Sequence, residues 1–176
     1  MKNEMLDFIK SRRSIRSYKP DMVSDDVLDK ILEAGTYAPT GGGRQSPVII
    51  AIRDKKVRDE LMHMNAEIMG KDIDPYYGAP VIVLVLANGS ANTFVETKLC
   101  SIKYDARSSL PGSCSVWQKE MIQKGKQLLA SWGLPDTLRG VGSIALGYPA
   151  APADAPAERK KDYIVKFEVF IQYRPF

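Results

Sequence analysis

The chain has 176 residues, 44% apolar and 26% charged; this is the make-up of one globular domain with its own core, and it excludes a disordered or collagen-like chain and a separate substrate domain. Its 25 Lys and Arg against 21 Asp and Glu leave a net charge of +4, too small to argue for a nucleic-acid partner. One His and two Cys exclude multi-His zinc sites, most Ser-His-acid catalysis and a disulfide framework. The longest apolar run, Pro80 to Ala87, is far short of the about 20 residues of a spanning helix, and Lys2, Glu4 and Asp7 place charge where a signal peptide is apolar. The expectation is a soluble cytoplasmic protein with no membrane partner.

In chain order, Asn3 caps a first helix carrying Met5, Leu6 and Ile9, which ends in a basic stretch. Ser24 caps a second helix, with Asp25 and Asp26 at the positive end of its dipole and Val27, Leu28, Ile31 and Leu32 at helical spacing up to Gly35. Turn-formers Thr40 to Gly43 deliver the chain into a buried strand, Val48 to Ile52. Asp54 caps a third helix whose Val57, Leu61, Met64 and Ile68 share a face. After a polar loop, Val81 to Leu86 lacks polar alternation and reads as a strand buried on both faces, at the centre of the sheet. Glu120 to Trp132 is a weaker helix stopped by Gly133, and Gly140 to Gly147 holds the next strand. Ala150 to Pro156 runs extended over a surface, and Ile164 to Tyr173 alternates like a last strand. The mixture predicts an α+β or α/β domain.

Five cations and no acid lie between Lys10 and Lys19, and Arg159-Lys160-Lys161 forms a second basic cluster. Arg12-Arg13-Ser14-Ile15-Arg16 offers guanidinium forks and a hydroxyl, suited to a phosphate or a polar heteroaromatic edge; cations at a helix C-terminus are also ordinary surface chemistry. Gly41-Gly42-Gly43 allows close backbone approach, or is a plain loop, and is neither GxGxxG nor a P-loop. No stacking motif accompanies the cations, so a nucleic-acid binder is disfavoured.

Taken together, the helix ending in Arg12-Arg13-Ser14-Ile15-Arg16-Ser17-Tyr18, the Ser24 to Ala38 helix, Ala38-Pro39-Thr40 leading to Gln45-Ser46-Pro47, Ala79-Pro80 with its strand, Gly112-Ser113-Cys114, Leu146-Gly147-Tyr148-Pro149 and Arg159-Lys160 resemble the nitroreductase family of flavin enzymes. The resemblance implies one α+β domain over residues 1–176, with a central, mostly antiparallel sheet of four to five strands flanked by helices. It implies an intertwined homodimer with FMN between subunits and a C-terminal segment, about 164–176, reaching across the dimer. Arg12, Arg13, Ser14 and Arg16 would hold the phosphate, ribityl chain and pyrimidine edge, with Arg159 and Lys160 adding phosphate contacts. Thr40, Gln45 and Ser46 would approach the isoalloxazine from the partner, and Gly112 and Ser113 would offer backbone donors at the ring. No protein acid, base, nucleophile or metal is then required, because positive groups and N–H donors stabilise the charge that develops on the cofactor. The implied activity is transfer of hydride from NADH or NADPH through flavin N5 to a nitroaromatic, quinone or similar electron-poor acceptor. Tyr18, Tyr76, Tyr77 and Trp117 are candidates for the substrate space, packing being the commoner role of such aromatics. His63 reads as a structural or surface residue, and Cys114 as one that packs rather than reacts.

Two departures stand out. Gly43 occupies a position where the family usually has Asn, and Thr97 to Pro111 replaces a long apolar interface helix with a stretch containing Lys103, Asp105 and Arg107, poor residues for a dry interface. Lys103 to Leu110 can be encoded as AAA TAT GAT GCA CGC AGC TCA TTG, and these bases read one position later give Asn-Met-Met-His-Ala-Ala-His, the family's helix. A compensated frameshift over about residues 97–111, carried by the gene or introduced in reading it, accounts for this and for the resumption of resemblance at Gly112. If it is carried by the gene, the alternative function is a flavin-binding module with little or no turnover.

Overall fold

A computed structural model describes residues 4–40, 43–88, 113–116 and 121–160. The element order is α1 (Glu4–Ser11), α2 (Asp25–Thr36), β1 (Val48–Ile52), α3 (Lys55–Met69), β2 (Val81–Asn88), β3 (Ser113–Val116), α4 (Met121–Ser131) and β4 (Leu138–Leu146). The four strands form one sheet in the order β1-β2-β4-β3, antiparallel throughout.

Strand β2 organises the core. Ile82, Leu84 and Leu86 belong to one hydrophobic cluster, with Leu61 of α3 and Leu128 and Leu129 of α4. Val81, Val83 and Val85 belong to the other, with Leu28 and Ile31 of α2. Alternation along one strand therefore feeds two apolar layers, and the unbroken run Val81 to Leu86 is explained by burial on both faces. A register shift between Val85 and Leu86 marks an irregularity in the β2–β4 ladder.

The helix ends follow local chemistry. The Asp54 side chain accepts from Val57 N–H at 3.0 Å, and α3 stops at Gly70 with φ 60. Lys55 donates a hydrogen bond to Asp59 one turn on, which holds that carboxyl below the usual carboxylate range. A lowered value means that the pair's small contribution is present at neutral pH and lost on acidification through it. Ser24 occupies the N-cap of α2 without a side-chain cap hydrogen bond, and Arg53 holds that helix start instead, pairing with Asp25.

The structure corrects two expectations. First, β1 is at the edge of the sheet among the described residues, with Val48 to Ala51 half-buried rather than buried. Second, β3 was not expected as a strand. Tyr18 and Tyr76 take the packing role, the commoner one for such aromatics, and are core residues only 7% and 2% exposed. Tyr18 OH donates to the Ala145 carbonyl at 3.4 Å, while Tyr76 OH receives Asn65 Nδ2 and donates to Ser143 Oγ at 3.1 Å. These bonds satisfy polar atoms within the apolar layer. His63 is exposed on α3, as expected. The C-terminal strand, Trp117, Gly112 and the departure at Thr97 to Pro111 lie outside the described residues.

Candidate functional site

Two segments distant in sequence are stapled side by side. Lys19 N–H donates to the Tyr148 carbonyl at 2.8 Å, Ala150 N–H donates to the Ser17 carbonyl at 3.0 Å, and Tyr18 pairs with Pro149 in an antiparallel bridge. The staple sets the linker after α1 beside the extended strand following β4. Gly147 is the packing key: a Cβ there would lie 2.6 Å from Pro80 Cδ and 3.1 Å from Tyr18 Cδ1, so only a glycine lets these parts close up.

This arrangement forms a cleft of ≈ 290 Å³ lined by Arg12, Arg13, Ser14, Arg16 and Arg159, with Asp154 and the Ala155 to Ala157 backbone stretch completing the wall. Both basic clusters of the sequence thus contribute to one cavity. Lys160, exposed, is beside Arg159 in sequence and does not line the cleft. Arg13 Nη1 donates to the carbonyls of Lys10 and Arg12, at 2.9 and 2.8 Å, closing the end of α1 and leaving its Nε and Nη2 as further donors. Asp154 was missed in the sequence because its surroundings, Ala151 to Ala157, show only alanine and proline.

A second candidate region is the loop between α2 and β1. Thr40 shapes it from both ends of its residue: its carbonyl accepts from Gly43 N–H at 3.0 Å and its Oγ1 accepts from Gln45 N–H at 3.1 Å. Gln45 itself adopts φ 49, a left-handed conformation unusual outside glycine. Thr40 and Gln45 line a cavity of ≈ 140 Å³ with Thr36, Pro47 and Ile49, and Ser46 is half-buried beside it in sequence. No residue that lines this cavity also lines the basic cleft. Ser113 begins β3, which pairs with β4 on one side and has no described neighbour on the other.

The sequence profile of the family described as the nitroreductase family matches residues 9–82, which include the linker after α1 and the Thr40 loop. An Archaeoglobus fulgidus protein described as a candidate NADH dehydrogenase/NAD(P)H nitroreductase is 28% identical over 162 residues, 86% of this chain and 88% of its own length. Among solved structures, a Bacteroides fragilis nitroreductase with bound FMN superposes with a TM-score of 0.81 at 24% identity, covering 95% of this chain and all of that one. A Desulfovibrio desulfuricans nitroreductase candidate in complex with FMN gives a TM-score of 0.73 at 25% identity over 96% of this chain and 99% of that one.

The chain has the nitroreductase fold and carries the nitroreductase family signature over residues 9–82. Its antiparallel sheet between helical layers is the nitroreductase fold, and its family-profile match takes in the first basic cluster and the Thr40 loop. Among the described residues, no helix is long and apolar enough to cross a membrane.

Proposed function

We propose that this chain is an FMN-dependent oxidoreductase that takes hydride from NADH or NADPH and reduces a nitroaromatic, quinone or similar electron-poor acceptor, acting as a homodimer. The observation that carries the proposal is the cleft in which both basic clusters meet, Arg12 to Arg16 with Arg159. Several guanidinium forks and one hydroxyl around a small cavity fit a phosphate monoester, which accepts bidentate, charge-assisted hydrogen bonds.

Arg12, Arg13, Ser14 and Arg159 hold that phosphate in this reading, with Lys160 adding charge at the rim. Arg16 serves the ribityl chain and pyrimidine edge, where a cation stabilises negative charge as it gathers. Thr40, Gln45 and Ser46 of a second protomer complete the site, in keeping with the lack of any lining residue common to the two cavities. Gly112 and Ser113 present backbone N–H groups in this reading, from the side of β3 that has no described neighbour. Bound FMN supplies the two-electron transfer between nicotinamide and acceptor; the protein binds, orients and balances charge.

The purified protein is expected to be yellow and to bleach on addition of NADH or NADPH without acceptor, with colour returning when a quinone is added. Retained flavin that neither donor bleaches would favour a flavin-binding module without turnover, and a colourless protein that takes up no FMN would overturn the proposal. Intact mass of the same sample tests the frameshift: a mass departing from that of the 176-residue sequence over residues 97–111 places the shift in the reading of the gene.

The C-terminal segment, about 164–176, pairs with the partner's sheet in this assembly. The edge of β1, which has no described neighbour beyond β2, and the adjacent apolar cavity of ≈ 460 Å³, whose lining includes Ile50, Ile52, Val57, Trp132 and Leu134, suit an added strand. Deleting residues from Ile164 onward is expected to convert the dimer to monomer or aggregate, read by light scattering after size exclusion. A stable flavin-bound dimer after the deletion would refute the pairing.

A further inference from the structure

The basic cleft contains a single acid among its lining residues. Asp154 shares it with Arg12, Arg13, Arg16 and Arg159, and also lines an adjoining cavity of ≈ 150 Å³. Ser14, Arg16 and Asp154 are the residues common to the two, so they form the boundary between chambers. The first chamber is rich in cations. The second adds no charge beyond that boundary, its remaining lining being Ile15, Ser17 and the Ala151 to Ala153 stretch.

Asp154 is exposed and forms no ion pair or hydrogen bond with any described residue, although four guanidinium groups line the same cleft. It is therefore not present as a partner that neutralises one arginine. An unpaired carboxylate inside an anion site lowers affinity for a bare anion by like-charge repulsion. It raises affinity for a phosphate ester that carries a hydroxyl on its organic part, because an ionised carboxylate is a strong acceptor and has no donor of its own. We propose that Asp154 accepts a hydrogen bond from a hydroxyl of the cofactor's ribityl chain where it passes from the cationic chamber into the neutral one, so that the cleft selects a polyol phosphate over a bare phosphate. The assignment rests on the FMN reading above and adds to it a residue that discriminates between ligands of equal charge.

The test is equilibrium dialysis of the full chain against FMN, with inorganic phosphate as competitor, for the unchanged protein, Asp154→Ala and Asp154→Asn. Circular dichroism confirms that each variant is folded. Loss of a hydrogen bond to a charged acceptor weakens binding about tenfold, so Asp154→Ala is expected to bind FMN about tenfold more weakly. The same variant is expected to bind inorganic phosphate about twofold more tightly, the size of a solvent-screened repulsion. Asp154→Asn keeps an acceptor oxygen without the charge and falls between the two for FMN. Opposite movement of the two ligands is the signature. FMN and phosphate both tightening in Asp154→Ala would leave Asp154 as a repulsive charge only and overturn the proposal, as would FMN affinity that does not change. Unchanged protein that binds phosphate but not FMN would overturn the FMN reading itself, a result distinct from either.

Discussion

Replacing Arg12 and Arg16 together by Ala is expected to leave a folded protein that no longer retains flavin. Both side chains are exposed on the linker after α1 and both line the basic cleft, so the hydrophobic clusters lose nothing by their removal. Hydrogen bonds to charged groups contribute about 1.5–3 kcal/mol each, and losing two places the affinity for FMN about 10²- to 10⁴-fold lower. Flavin absorbance per protomer after gel filtration reads the loss, and a thermal melt reads the fold. Full flavin retention in the double variant would show that the cleft is not the phosphate site. Arg13→Ala makes the contrast. Its guanidinium already closes α1 through the Lys10 and Arg12 carbonyls, so part of its cost appears as helix-end stability rather than affinity.

Gly147→Ala is expected to have the largest effect on stability for a single added methyl group. The new Cβ would meet Pro80 Cδ at 2.6 Å and Pro80 Cγ at 3.1 Å, and Pro80 is a rigid ring within the core. Tyr18, on the other side at 3.1 Å, is buried and held by its hydroxyl. Neither neighbour can swing away as a long side chain would, so the strand end itself must move. Overpacking of this kind costs about 1–3 kcal/mol, which lowers the melting temperature of a domain this size by roughly 3–10 °C. The displaced segment is the one that hydrogen-bonds Ser17 and Lys19, so flavin retention falls with stability. Gly43→Ala provides the control: with φ 66 but nothing within 4 Å, it carries only the backbone cost of a left-handed alanine, about 1 kcal/mol. A Gly147→Ala protein as stable as Gly43→Ala would show that the staple yields more easily than its geometry implies.

The elements best read from the sequence are those whose cause is local. Asp54 caps α3, Gly133 follows α4 with φ 72, and the unpunctuated run of β2 occupies the sheet interior, all as the residues suggest. Strand β3 was not legible because Ser113-Cys114-Ser115 has neither an apolar run nor alternation. It is a strand because β4 offers it a hydrogen-bonding edge. The half-burial of β1 escaped for a related reason: an apolar run shows that both faces are covered but not whether a neighbour lies on each side. Tyrosines were ambiguous since the partners that bury them are remote, Ala145 for Tyr18 and Ser143 for Tyr76.

At the site, each basic cluster could be found by counting charges, and the family resemblance joined them. The physical link between them was not readable. It depends on the backbone bridge between Tyr18 and Pro149 and on one glycine's lack of a side chain, neither of which leaves a charge or periodicity signal. Asp154 was hidden for the opposite reason, as an isolated acid in a segment whose alanines and prolines suggest only exposed extended chain.

Because the walls of the cleft come from residues 12–16 and 154–159, a ligand seated there ties the beginning of the chain to the segment beyond its last described strand. It acts as a reversible cross-link whose loop takes in the four described strands, and it favours the closed chain in the manner of a long-range disulfide. The folded state and the loaded state are then thermodynamically linked, so the melting temperature rises with free FMN even after every site is filled. The same linkage concentrates the gain in amide-exchange protection at the Lys19 and Ala150 N–H groups, where the two ends of that loop touch.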